Sequence, residues 1–334
     1  MEDIFLQPPL AKQFENKGYL IVDLLSQSEV DDLWSYYHSL THSHKTPYGF
    51  HVSLDNNDPN FVKQINDKVL GILNQKMSQY FSGYRLLSGR FLVKDHNKQG
   101  LVTPHQDWSF TNEIEQTFSA TIWIPLLDVY LQNGALGVIE GSHRIYKGIR
   151  ATPLPIFKVP FEDCANRIFP YLKVLEMRAG QALIMNNRLI HGSPPNLSSK
   201  PRIAIGAEII PADATLYHYY LRPDTQEVEQ YEIDDTFFYQ YSNAKLLQLY
   251  QNNACPTALK AVNRLPYHPE QLTWEQVSTE IQSLYPHAYN PILQQIFDYS
   301  YQLSDKHPFD QTGVATSPSS SKSVWGKVKS WMKQ

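Results

Sequence analysis

The chain has 334 residues, of which 42% are hydrophobic and 19% charged, enough for a sizeable core and too apolar for global disorder or a collagen-like repeat. Its 29 basic and 33 acidic residues leave a net charge of -4, which excludes a nucleic-acid surface spread over the whole protein. Two cysteines, Cys164 and Cys255, can build neither a disulfide framework nor a four-thiolate zinc site.

The first residues, MEDIFLQPPL, lack a basic segment followed by an apolar run, so no signal peptide is expected. No window approaches the roughly 18 consecutive apolar residues of a membrane span. The expected compartment is the cytoplasm. A short apolar strand is expected from Gly18 to Val22. Ser26 and Glu29 then stand at capping-box spacing, and Val30, Leu33, Trp34 and Tyr37 repeat at helical spacing, which predicts a helix over 27–41. Asp58-Pro59 predicts a second helix start, with Phe61, Ile65, Val69, Ile72 and Leu73 on its apolar face.

From about residue 84 the pattern changes from helical to alternating. Strands are expected at 89–95, 117–124, 135–139, 172–177, 181–186 and 202–210, separated by Gly- and Pro-rich turns. Short punctuated strands that follow helices, rather than alternating with them, predict a mainly β fold with flanking helices, an antiparallel barrel or jelly roll. Residues 213–311 are tyrosine-rich, with helices expected near 242–252 and 274–284, and are read as an elaboration packed on the barrel. The expected organisation is thus one domain over 1–311: N-terminal helices over 1–83, a barrel over about 84–212, then the elaboration. A flexible linker over 312–323 (TGVATSPSSSKS) and a short amphipathic, basic tail over 324–334 complete it. The tail, with Trp325 and Trp331 on one face and lysines elsewhere, suits weak docking on a membrane surface or in a protein groove, which would place the protein peripherally at a membrane. A frayed helix tucked against its own domain fits the same pattern.

Chemistry concentrates in two places. Pro104-His105-Gln106-Asp107 offers an imidazole and a carboxylate just before a strand, donors that suit a borderline divalent metal. Far along the chain, His191 follows the strand QALIMN and precedes the turn Gly192-Ser193-Pro194, where it could add a third ligand. On its own, His-x-Asp equally describes a loop histidine bonded to its neighbour. Arg202 opens the strand RIAIGAEII, and alternation puts Arg202, Ala204 and Gly206 on one face with Ile203, Ile205 and Ile209 on the other. Small neighbours leave its guanidinium room for the carboxylate of a small molecule, or for an internal Glu or Asp. Arg90 and Lys94 share a face of strand 89–95 with Leu92; a solvated strand end is the simpler expectation, and the barrel interior the alternative. His143 reads as a turn histidine bonded to backbone or as a neighbour of the ligands, and His218 as packing within its tyrosine cluster or as pocket wall.

Taken together, PHQDWSF, the strand to Trp123, NGALGVIEGSHR, LIHGSPPN and KPRIAIG resemble the phytanoyl-CoA dioxygenase family of iron(II)- and 2-oxoglutarate-dependent oxygenases, over roughly residues 14–240. The resemblance implies a double-stranded β-helix and places the family's metal triad on His105, Asp107 and His191. It implies that 2-oxoglutarate chelates Fe(II) while Arg202 and Ser193 hold its distal carboxylate, with Trp123 nearby and O2 as co-reactant. Because Asp107 is a carboxylate rather than the small residue of related halogenases, the resemblance implies hydroxylation, with desaturation or ring closure open. It leaves the substrate undefined: a small, partly apolar molecule, lipid-like or carrier-tethered. A cupin-like module that binds metal or small molecules without turnover is the alternative.

Overall fold

The computed structural model describes residues 4–40, 48–96, 98–113, 119–152, 160–225, 227–267, 271–284 and 288–303. The expected linker (312–323) and tail (324–334) lie outside them. Helix α1 (Pro8–Lys17) begins on proline and stops at Gly18, whose φ of 81° lets the chain turn out of the helix. Only Ala11 and Phe14 of α1 are buried, too thin a stripe to announce a helix. Strand β1 (Tyr19–Asp23) leads into α2 (Gln27–Ser39), where the Ser26 N–H donates to Glu29 Oε2 at 2.9 Å. After β2 (Phe50–Val52), α3 (Pro59–Met77) starts where the Asp58 carboxylate accepts from the Asn60 N–H at 2.9 Å. Its buried stripe is Val62, Ile65, Val69, Leu73 and Met77, with Phe61 and Ile72 only half-buried at its margins.

The alternating part of the chain forms β3 (Tyr84–Lys94), β4 (Val102–His105), β5 (Ala120–Pro125) and β6 (Gly137–Val138), then the single turn α4 (Ala165–Ile168). Strands β7 (Lys173–Val174), β8 (Gln181–Asn186), β9 (His191–Ser193) and β10 (Arg202–Pro211) follow. They build two antiparallel sheets, β1-β8-β5-β10-β3-β2 and β4-β9-β6-β7. One face of the larger sheet packs under α1, α2 and α3 through Ile122, Ile124, Ile184, Ile203, Ile205 and Ile209. The other faces the smaller sheet, where Trp123, Leu183 and Ala204 meet Ala135, Val138 and Leu175. The protein is therefore a mainly β jelly roll with helices packed outside one wall.

Beyond the barrel the chain adds β11 (Leu216–Leu221), β12 (Glu227–Ile233), the single turn α5 (Phe237–Gln240), α6 (Asn243–Gln251) and β13 (Ala261–Pro266). Helices α7 (Trp274–Leu284) and α8 (Pro291–Leu303) complete the described elements. Strands β11, β12 and β13 form a third antiparallel sheet, which the sequence pattern did not announce. The reason is visible in β11, where Tyr217 and Tyr219 alternate with His218 and Tyr220, so both faces carry aromatic rings. Tyr220, Tyr231, Phe237 and Phe238 pack on Leu87, Phe110 and Ile210, closing the end of the β3–β10 pair. Among the described residues, no helix is long and apolar enough to cross a membrane.

Candidate metal centre and the cation pocket beside it

Register brings the three candidate ligands together. Antiparallel pairing of β4 with β9 sets His105 directly opposite His191, with ring centroids 4.2 Å apart. Asp107 stands one residue beyond Gln106, and its N–H is held by the Asn187 carbonyl at 2.9 Å, so the loop ahead of β9 fixes it too. Its Oδ1 lies 4.0 Å from His105 Nε2 and 3.8 Å from His191 Nε2, and all three ligand atoms fall within 4.8 Å of one another. That spacing fits three donors around one ion.

Orientation is set by the backbone. His105 Nδ1 bonds the Thr103 carbonyl at 2.8 Å and His191 Nδ1 bonds the Leu189 carbonyl at 3.0 Å. A carbonyl can only accept, so Nδ1 carries a proton and, in the neutral ring, Nε2 is the nitrogen that presents its lone pair. Burial, then the neighbouring His191, pulls the His105 pKa down to about 4, which keeps that lone pair free of a competing proton. Burial disfavours charge on Asp107, but His191, His105, the Thr121 hydroxyl and Arg90 outweigh it and hold its pKa below the usual value. Thr121 Oγ1 lies 2.7 Å from Asp107 Oδ2, 3.0 Å from Asn187 Oδ1 and 3.0 Å from Glu208 Oε2. Its single proton goes to the shortest of these, Asp107.

Deeper in the barrel the charge changes sign. Arg202 is only 1% exposed, and its Nε and Nη1 have no hydrogen-bond partner. Among the described residues no carboxylate pairs with it. Its guanidinium carbon sits 5.3 Å from the centre of the Trp123 ring. Burial pulls its pKa down to about 9. Directly opposite in register lies Lys94, fully buried. Lys94 Nζ donates to Ser193 Oγ at 2.6 Å, to the Ser193 carbonyl at 3.2 Å and to the Pro194 carbonyl. Burial and then Arg202 push its pKa well below the ordinary lysine value.

The expectation of a solvated strand end for Arg90 and Lys94 is therefore corrected: both point into the barrel. Arg90 pairs with the 2% exposed Glu208 and donates to the Ser88 carbonyl at 2.9 Å. Their shared strand face was legible, but which face points inward depends on the pairing of β3 with β10. His143 bonds the Glu15 carbonyl at 3.0 Å, as a turn histidine. His218 packs against Phe237 and Trp108 and bonds Thr152 Oγ1 at 3.1 Å. Glu208, Asn187 and Arg90 complete the polar lining; their partners lie too far away in sequence to be read from any one strand.

A model of the phytanoyl-CoA dioxygenase (PhyH) family matches residues 14–204, more than half of the chain. The chain belongs to the phytanoyl-CoA dioxygenase family. Among curated proteins it is 34% identical over 137 residues to a phytanoyl-CoA dioxygenase of Arabidopsis thaliana, covering 39% of this chain and 47% of that protein. It is 28% identical over 139 residues to phytanoyl-CoA dioxygenase domain-containing protein 1 of Bos taurus, covering 40% of this chain and 47% of that one. The chain spans about half the length of the curated relatives it matches. Among solved structures it is similar to HygX of Streptomyces hygroscopicus, crystallised with nickel, 2-oxoglutarate and hygromycin B. The identity is 18%, the TM-score 0.43, and the match covers 62% of this chain and 88% of HygX. The 2-oxoglutarate-dependent carbocyclase SnoK of nogalamycin biosynthesis gives 21% identity and a TM-score of 0.46, over 63% of this chain and 86% of SnoK. Likeness of that degree decides nothing about this member's chemistry. All six candidate residues, His105, Asp107, Trp123, His191, Ser193 and Arg202, lie within the matched PhyH region.

Proposed function

We propose that this chain is an Fe(II)- and 2-oxoglutarate-dependent dioxygenase that hydroxylates an unactivated C–H bond of a small, partly apolar molecule. The observation that carries the reading is Arg202: a buried cation with two unpartnered donor atoms, in the same barrel as a three-donor cluster. An unsatisfied buried guanidinium is costly unless a ligand completes it. His105, Asp107 and His191 would hold the metal, with two imidazoles and a carboxylate suited to ferrous iron and positions left for exogenous ligands. Arg202 would bind the distal carboxylate of 2-oxoglutarate through its free Nε and Nη1. Ser193 would add its hydroxyl proton, because Lys94 engages only the oxygen of that group. Trp123 would wall the cosubstrate on the side of the guanidinium. When bound, metal and cosubstrate supply oxidation of a C–H bond by O2, with 2-oxoglutarate converted to succinate and CO2. The chain's own part is to present the three lone pairs, fix the carboxylate and exclude water.

The partly apolar character of the substrate rests on Trp108, next to Asp107, and Phe110, three residues beyond Asp107, which lead to the aromatic cluster around His218. A lipid-like or carrier-tethered substrate, a single oxygenase domain over 1–311, a cytoplasmic setting and weak membrane docking through 324–334 belong to the same proposal. The deciding experiment is anaerobic: Fe(II) and then 2-oxoglutarate are added to apoprotein, and the visible metal-to-ligand charge-transfer band is followed. The band should form with the natural sequence and be absent in Asp107→Ala. Folded protein that gives no band would remove the assignment.

A further inference from the structure

Glu113 lies outside every motif discussed above, yet it joins the two segments that carry the ligands. Its carboxylate is 8% exposed and accepts from three side chains: Arg150 Nη2 at 2.8 Å and Ser119 Oγ at 3.0 Å on Oε1, and Arg188 Nε at 2.9 Å on Oε2. Its main-chain carbonyl accepts from Arg188 Nη2. Arg150, 2% exposed, turns its Nε to the main-chain carbonyl of Asp107 and its Nη1 to the Gly148 carbonyl. The backbones are stitched as well. The Ser109 N–H donates to the Arg150 carbonyl at 3.0 Å, and the Arg150 N–H donates to Ser109 Oγ at 3.1 Å. On the other side, Arg188 stands just ahead of His191, and its carbonyl accepts from Gln106 Nε2. One carboxylate thus ties the peptide of Asp107, through Arg150, to the loop that delivers His191, through Arg188.

We propose that Glu113 and Arg150 are positioning residues that fix the peptide of Asp107 relative to His191, so that the carboxylate and both imidazoles meet one ion. The proposal rests on the reading of His105, Asp107 and His191 as a metal centre. A buried ion pair adds little net stability, because desolvation offsets its attraction. What it contributes is direction: the Nε bond sets the plane of the Asp107 peptide, and with it the exit angle of the side chain. Interactions of this kind around metal sites typically govern affinity by about 10–100-fold.

The test uses the full chain and Co(II), whose visible ligand-field spectrum reports coordination geometry without turnover. Arg150→Lys keeps a cation for Glu113, but its single ammonium cannot span Glu113 and the Asp107 carbonyl in the guanidinium's fork geometry. The expected result is Co(II) affinity weakened about 10–100-fold with a changed spectrum, in protein whose far-UV circular dichroism matches the natural sequence. Should Arg150→Lys fail to fold, Glu113→Gln tests the other arm of the bracket: its oxygen can keep the Arg150 contact, while its NH2 group cannot accept from Arg188 Nε, so that bond is lost. A merely structural role would lower the apoprotein's Tm while leaving the affinity and spectrum of the folded fraction unchanged, and that result overturns the proposal. If the natural sequence itself binds no Co(II), the metal centre falls first, a failure distinguishable from that of the bracket alone.

Discussion

Arg90 and Arg202 lie on neighbouring strands with their side chains inside the same barrel, yet their surroundings are opposite. Arg90 meets Glu208 and the Ser88 carbonyl, so its charge is matched by protein groups. Arg202 faces Trp123 and the buried amine of Lys94, and leaves two donor atoms without a partner. Both cost desolvation to bury. A guanidinium balanced from within is complete, whereas Arg202 keeps donor atoms that no described group uses. The contrast separates the part of the barrel whose polar groups are matched from within from the part where donor atoms stay unmatched among the described residues.

The harshest way to break this contrast is to remove the metal end altogether. Asp107→Ala deletes the carboxylate that both imidazoles face, and the anaerobic charge-transfer titration should then show no band at any 2-oxoglutarate concentration. Next come the two arginines. Arg90→Met leaves Glu208 buried without its cation, and denaturant unfolding should show a loss of about 3–5 kcal/mol. Arg202→Met strands no carboxylate, so unfolding should show no comparable loss. Its effect should fall on binding, where losing hydrogen bonds from a charged group costs about 1.5–3 kcal/mol, a roughly 10–150-fold rise in the 2-oxoglutarate Kd. Equal loss of stability in both variants, or unchanged cosubstrate affinity in Arg202→Met, would erase the distinction.

How much of this was legible depends on how local each signal is. His105 and Asp107 sit in one short motif, His191 stands between a strand and a tight turn, and Arg202 opens a strand whose alternation is clean, so they could be read as candidates one by one. The helix starts at Ser26 and Asp58 were readable for the same reason, since a cap is a contact between near neighbours. Lys94 and Arg90 show the limit. Alternation put them on one face, but only pairing with β10 decides that this face points inward. Glu208, Glu113, Arg150 and Arg188 were not readable at all, because each gains its role from partners many residues away. In the third sheet, rings on both faces of β11 hid the period of two.

A milder way to sharpen the comparison uses a buried group whose charge is excluded rather than matched. His218 is enclosed by Phe237, Trp108 and Tyr220, with Thr152 Oγ1 as its hydrogen-bond partner, and burial pulls its pKa down to about 3. Its unfolded value is about 6.5. Below that pH the unfolded chain takes up a proton that the folded chain refuses, so stability is fully present above pH 6.5 and declines as pH falls toward 3. One such group contributes a slope of at most about 1.4 kcal/mol per pH unit. His218→Phe keeps an aromatic ring in the cluster and should reduce the slope of the stability profile over that window, leaving the part due to His105 and His143. A profile of unchanged slope would show that the ring is reached by protons in the folded state.

The smallest effect belongs to a polar group that is neither buried nor awaiting a ligand. Ser26 sits at the solvent edge of α2, where its hydroxyl and N–H both donate to Glu29 Oε2, at 2.8 and 2.9 Å. Ser26→Ala removes the hydroxyl and keeps the main-chain N–H hydrogen bond to the Glu29 carboxylate, so the loss should be about 1 kcal/mol, as for other helix caps. Because α2 packs on the outer face of the larger sheet, through Val30, Leu33 and Tyr37, that loss should reach neither end of the barrel interior. Chemical unfolding should therefore report it, while Co(II) and 2-oxoglutarate affinities stay at their natural values. A shift in either affinity would mean that the outer helix layer and the ligand-bearing strands move together, and the matched and unmatched regions of the interior could then no longer be treated as independent of the helices outside.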